Sequence, residues 1–98
     1  MKEVDHRVEL GCDVTHYLLD DLYAKQISIK AGDEFPQHIH PYDHLSILAA
    51  GRVELYVSGV MQVLDAPACI EIKAEVHHRV VAVTDVLWYC IHAIRENV

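Results

Sequence analysis

Apolar and polar positions alternate along most of this chain in short runs, and Gly, Pro, Asp and Ser interrupt the runs at short intervals. A period of two marks a strand with one face buried. It predicts strands over 16–19, 22–29, 45–50, 52–57, 60–64, 68–72, 79–83 and 86–94. Turns are expected at Asp20-Asp21, Ala31-Gly32-Asp33, Asp65-Ala-Pro67 and Thr84-Asp85. Ser58-Gly59 reads as a tight hairpin turn. Residues 1–13 are polar and mixed, and are expected to form an arm or an edge strand. Residues 13–25 also admit a short helix, although with poor caps. No segment holds a sustained 3.6-residue period. The expected fold class is therefore an all-β sandwich or barrel.

Composition narrows the function classes. At 98 residues the chain is expected to form one domain, 1–98. It is 52% hydrophobic with a formal net charge of −7. That balance, with no Lys/Arg cluster, argues against nucleic-acid binding by phosphate neutralisation. No apolar run approaches the ~20 residues that span a bilayer. The N-terminal Met-Lys-Glu-Val-Asp-His lacks the apolar stretch of a secretory signal, so a cytoplasmic location is expected. Three cysteines, Cys12, Cys69 and Cys90, with no Cys-x-x-Cys, suit neither a disulfide framework nor a thiolate zinc site. Cys90 sits in an apolar run and is expected to be a buried thiol.

The oddity is histidine: eight residues, as many as Lys and Arg together. Three of them, His38, His40 and His44, lie at spacings of two and four between Gly32 and Gly51. Alternate residues of a strand share a face. His38 and His40 can therefore aim at one point, and His44 can return to it after the Pro-Tyr-Asp corner. Converging neutral imidazoles inside a small β-structure point to a metal ion.

The spacing Gly32-x5-His38-x-His40-x3-His44-x6-Gly51 resembles the first motif of the cupins, over 32–51. In that family the third polar position is usually glutamate; here it is His44. The segment Ile72-Lys-Ala-Glu-Val-His77 is similar to the second motif, Pro-x-Gly-x-x-His, over 72–81, with Ile72 and Ala74 in place of proline and glycine. The resemblance covers roughly residues 22–94. It implies a jelly-roll β-barrel with one divalent transition metal ion (Zn, Fe, Ni or Mn) in the barrel mouth, held by His38, His40, His44 and His77. Asp43-His44-Leu-Ser-Ile-Leu also looks like the corresponding strand of some small cupins carried by phage-type genomes.

A four-imidazole set is neutral, so the ion keeps its full charge for Lewis-acid work. Two open positions would admit a bidentate diketone, enol or hydroxy acid. Iron would allow oxygen chemistry, whereas zinc would suit isomerisation, cyclisation or hydration. Two function classes follow: a metal-dependent enzyme on a small organic substrate, or a non-catalytic metal- or ligand-binding or structural cupin. Asp43 competes with His44 for the inward position, and His78 competes with His77, because strand parity admits one of each pair. His92 shares a face with Trp88 and Cys90, opposite Tyr89 and Ile91, and His92 or Tyr89 is a candidate proton donor. Glu34, Tyr42 and Arg79 are candidate mouth residues. His6 and His16 have no partner at ligand spacing and read as structural or exposed. No nucleophilic triad or phosphate loop is evident. A short, apolar chain of this kind is expected to bury an edge strand in a homodimer.

Overall fold

A computed structural model describes residues 2–9, 11–36 and 43–94, with backbone alone for residues 2–4 and 36. The described residues form ten strands: β1 (Lys2–Glu9), β2 (Cys12–Leu19), β3 (Leu22–Ile29), β4 (Glu34–Pro36), β5 (His44–Ala50), β6 (Arg52–Val57), β7 (Val60–Asp65), β8 (Ala68–Ile72), β9 (His78–Ala82) and β10 (Val86–Ala93). They build a six-stranded sheet in the order β1-β2-β3-β10-β5-β8 and a four-stranded sheet in the order β4-β9-β6-β7. Every neighbouring pair is antiparallel. The two sheets face each other, as expected for a jelly roll. Among the described residues no helix is long and apolar enough to cross a membrane.

The expected turns at Asp20-Asp21, Ala31-Gly32-Asp33 and Ser58-Gly59 fall where Asp, Gly and Ser adopt positive φ. Ser58 and Gly59 lie at φ 50° and 81° and close the β6–β7 hairpin. Positive φ at both central residues matches the twist of the flanking strands. Gly51 carries a sharper constraint. It lies at φ +92°, and a Cβ there would sit 2.2 Å from the Asp85 carbonyl oxygen. Only glycine lets the chain pass from β5 in one sheet to β6 in the other at this point.

Two readings are corrected, the helix admitted over 13–25 and the start of the strand expected at 16, whereas the edge strand expected within 1–13 is present. The helix admitted over 13–25 does not form: β2 and β3 pair along their whole length, from Asp13↔Ser28 to Leu19↔Leu22. Tertiary pairing of alternating faces overrides weak local propensity. The chain of 1–13 supplies an edge strand, β1, and β2 begins already at Cys12. The short strand β4 has too few residues to show a period, and its place is set by pairing with β9.

The core lies between the sheets at the Gly51 end. Val14, Ile27, Leu48 and Trp88 from the larger sheet and Val53, Leu55 and Val80 from the smaller are fully buried. Register aligns them in cross-strand rows: Val14↔Ile27, Ile27↔Trp88 and Trp88↔Leu48. The rows beyond them, toward the other end, change character and carry polar side chains.

Candidate functional site

In the larger sheet the next inward row reads His16↔Lys25, Lys25↔Cys90 and Cys90↔Ser46. The row after it pairs Leu18↔Tyr23 and Tyr23↔His92. The β10–β5 register ends at Ile91↔Leu45, so one further step sets His92 beside His44 on the same face. In the smaller sheet His78 pairs with Val57 at the same end. The polar end of the barrel thus gathers imidazoles from β2, β10, β5 and β9.

His44 and His78 are the buried pair, at 6% and 4% exposure. Their ring centroids are 5.5 Å apart and the planes are tilted by 48°. Both owe their direction to strand parity. His44, Ser46 and Leu48 alternate inward on β5, while Leu45 is exposed. His78, Val80 and Ala82 alternate inward on β9, while Arg79 is exposed. His78 Nδ1 lies 3.3 Å from the Val76 carbonyl oxygen. A carbonyl only accepts, so Nδ1 carries the proton and Nε2 keeps its lone pair.

His77 is exposed and precedes β9; its carbonyl accepts a 2.9 Å hydrogen bond from the Ser58 N–H. The inward position beside His44 belongs to His78. The positive φ of this turn falls at Glu75, three residues before His78, so the inward histidine is one residue later than the expected His77. Asp43 is exposed and faces the other way from His44. Its Oδ1 accepts from the Ala74 N–H at 2.7 Å, and Lys73 Nζ lies 3.8 Å from its carboxylate. Hydrogen bonding to Glu71, with Asp43 nearby, raises the Lys73 pKa. Asp43 therefore ties the start of β5 to the β8–β9 turn, and so sets the approach of His44 to His78. His38, His40 and Tyr42 lie outside the described residues. Among the described residues no group of three or more His, Cys, Asp or Glu is placed to hold a metal ion.

Glu34 and Arg79 do not line this interior. They form a 3.2 Å ion pair on the outer face, and the Arg79 guanidinium stacks 4.2 Å above the Tyr56 ring. Tyr89 also points outward, its hydroxyl donating to Gln26 Oε1 at 2.8 Å. Cys90 is half-buried, its Sγ accepting from the Ser46 hydroxyl at 3.8 Å. At the apolar end Cys12 is buried, and burial raises its thiol pKa, with Asp33 and Asp13 adding to the effect.

His16, expected to be structural or exposed, is half-buried on the inner face and bonded to both Glu9 and Tyr23. Its alternation with the buried Cys12 and Val14 is the sequence signal for that face, but its partners come from β1 and β3 and show only once the sheet order is known.

The cupin domain family model matches residues 26–92. No curated protein matches the chain. Among solved structures, KdgF from Halomonas sp. superposes with a TM-score of 0.78 at 20% identity, over 96% of this chain and 89% of that one. A cupin 2 conserved barrel domain protein from Salinispora arenicola gives 0.79 at 16% identity, over 94% and 82%. Salicylate 1,2-dioxygenase from Pseudoaminobacter salicylatoxidans, in a structure with gentisate adducts, gives 0.78 at 14% identity, over 89% of this chain and 26% of that one. The family match spans most of the chain, the neighbours share its barrel, and the chain belongs to the cupin family.

Proposed function

We propose that this chain is a metal-dependent cupin acting on a small hydroxy-carbonyl or enolisable compound. One divalent transition metal ion would be held by His44 and His78 from the described barrel end, with His38 and His40 from the first motif. The observation that carries the reading is the buried His44–His78 pair. Ligating nitrogens sit about 2.1 Å from a divalent ion, which puts two such ring centroids roughly 4.5–6 Å apart. The 5.5 Å separation suits that arrangement. The Val76 carbonyl fixes His78 in the tautomer whose Nε2 can ligate, the usual outer-shell device of histidine metal sites. When bound, the ion would supply Lewis-acid polarisation of a ligand oxygen. Salicylate 1,2-dioxygenase, whose barrel is similar, was solved with gentisate adducts, and a hydroxy-acid ligand is in keeping with the proposal.

The protein is further proposed to be cytoplasmic and homodimeric. Support for the dimer comes from edge strand β7, whose Val60, Met61 and Val63 are exposed. A monomeric mass at micromolar concentration contradicts the dimer. The metal reading is tested with tag-free protein titrated with cobalt(II). Wild type is expected to develop a ligand-field absorption band at one equivalent, and His44→Ala to lose it. An identical band in the variant removes His44 from the ligand set, and no band in either protein favours a non-catalytic, metal-free cupin.

A further inference from the structure

Beside the imidazole pair, the same inner face carries a hydrogen-bonded chain that the metal reading does not use. His16 Nε2 lies 3.0 Å from Glu9 Oε2, and His16 Nδ1 contacts the Tyr23 hydroxyl. The chemistry of the partners assigns the protons. A carboxylate only accepts, so Nε2–H donates to Glu9. The neutral imidazole then has a lone pair on Nδ1, and the Tyr23 O–H donates to it. A base oriented by a carboxylate and bonded to a hydroxyl is the arrangement that activates side-chain nucleophiles and proton acceptors.

Three different strands supply this chain. Glu9 ends β1, His16 lies on β2 and Tyr23 on β3. All three side chains are partly exposed, as befits the wall of an open barrel end. The Tyr23 ring stacks at 5.7 Å on His16 and meets His92 at 4.9 Å on the other side. His92 lies one step beyond Ile91↔Leu45, the last pair of the β10–β5 register, on the side toward His44. Among the described residues the charged groups facing the chain are Lys25 on β3, 3.9 Å from Glu9 Oε1, Arg7 on β1, 3.9 Å from Glu9 Oε2, and Asp5, opposite His16 in the β1–β2 register. Asp5 pairs with Arg7, and Lys25 Nζ also lies 4.7 Å above the Phe35 ring.

We infer that Glu9, His16 and Tyr23 form a proton relay, with the Tyr23 hydroxyl as the group that exchanges a proton with a ligand at the barrel end. The inference rests on the small-ligand reading above and narrows it to proton-transfer chemistry on an enolisable carbonyl compound. In the forward step the ligand's C–H bond beside its carbonyl breaks, and the electron pair stays on the ligand as an enolate. The proton bonds to Tyr23 Oη as the original Tyr23 proton passes to His16 Nδ1. The resulting imidazolium faces the Glu9 carboxylate. The return step reverses each transfer, and no oxidant or reductant is consumed.

The test needs no metal and no substrate. The full chain, stripped of metal with chelator, is treated at neutral pH with N-acetylimidazole, which acetylates nucleophilic phenols. Modification of each tyrosine is followed by peptide mass spectrometry. Tyr89 is the internal control: it is also half-buried on a strand, but its hydroxyl bonds a neutral amide. Base assistance is expected to make Tyr23 react on the order of a hundredfold faster than Tyr89. His16→Gln, which keeps a polar partner but removes the base, is expected to bring the two rates together. Glu9→Gln is expected to fall between. A Tyr23 rate equal to that of Tyr89 in wild type, or an undiminished lead in His16→Gln, overturns the relay. Either result leaves the metal question to its own measurement.

Discussion

The two ends of this barrel are built from the same strands, and they differ in what the inward positions carry. At the Gly51 end, rows such as Val14–Ile27–Trp88–Leu48 are apolar and sealed. One row further, His16, Lys25, Cys90 and Ser46 replace them, and the row beyond holds Tyr23, His92 and His44, with His78 from the facing sheet. Both ends obey the same alternation, so the fold does not distinguish them. The difference is energetic. Apolar rows stabilise by burial. Polar rows add little net stability, because each buried polar group loses hydration before it gains a partner. Under the proposed function they carry chemistry, which fold alone does not specify.

The sharpest way to break this division is to truncate one residue at each end and compare. Trp88→Ala at the apolar end is expected to cost about 3–5 kcal/mol, read by urea denaturation. His78→Ala in metal-free protein is expected to cost less than half as much. A larger loss for His78 would make the polar end part of the structural core. Gly51→Ala tests the hinge of the apolar end. Positive φ and the 2.2 Å approach to the Asp85 carbonyl oppose any side chain there, so a loss of about 2 kcal/mol or more is expected. Ser46→Ala, at the boundary between the ends, removes one bond to Cys90 and is expected to cost about 1 kcal/mol or less.

The smallest effect concerns pH and lies outside the barrel. Arg52 bonds Asp65 at 2.6 Å and holds its carboxyl below the usual carboxylate range. A depressed pKa stabilises the fold fully above the ordinary carboxylate value, and that contribution fades as pH falls through the lowered one. The pair is exposed and screened, so the slope is shallow. Arg52→Gln is expected to flatten the acid limb of a stability–pH profile slightly. An unchanged limb shows that the pair adds nothing measurable.

Much of the fold was legible because alternation and turn chemistry agreed. The Ser58-Gly59 hairpin, the strand ending before Gly51 and the run from Val86 that forms β10 follow from local pattern alone. The strand β4 was not legible, since three residues show no period. The site was legible in part. The spacing into β5 brought out His44, which faces inward with Ser46 and Leu48, while its rival Asp43 is exposed. The choice between His77 and His78 turned on a one-residue difference in where β9 begins, which Val80 and Ala82 fix by burial. The Glu9–His16–Tyr23 chain was invisible because its members come from three strands and meet only through sheet order.

The most direct test of the central claim, that the polar end is a metal site built on His44 and His78, is elemental analysis of tag-free protein purified without added metal. Wild type, His78→Ala and His77→Ala would be compared in parallel. Near-stoichiometric transition metal in wild type and His77→Ala, and its loss from His78→Ala, is the predicted result. Metal retained by His78→Ala, or lost from His77→Ala alone, would contradict the account.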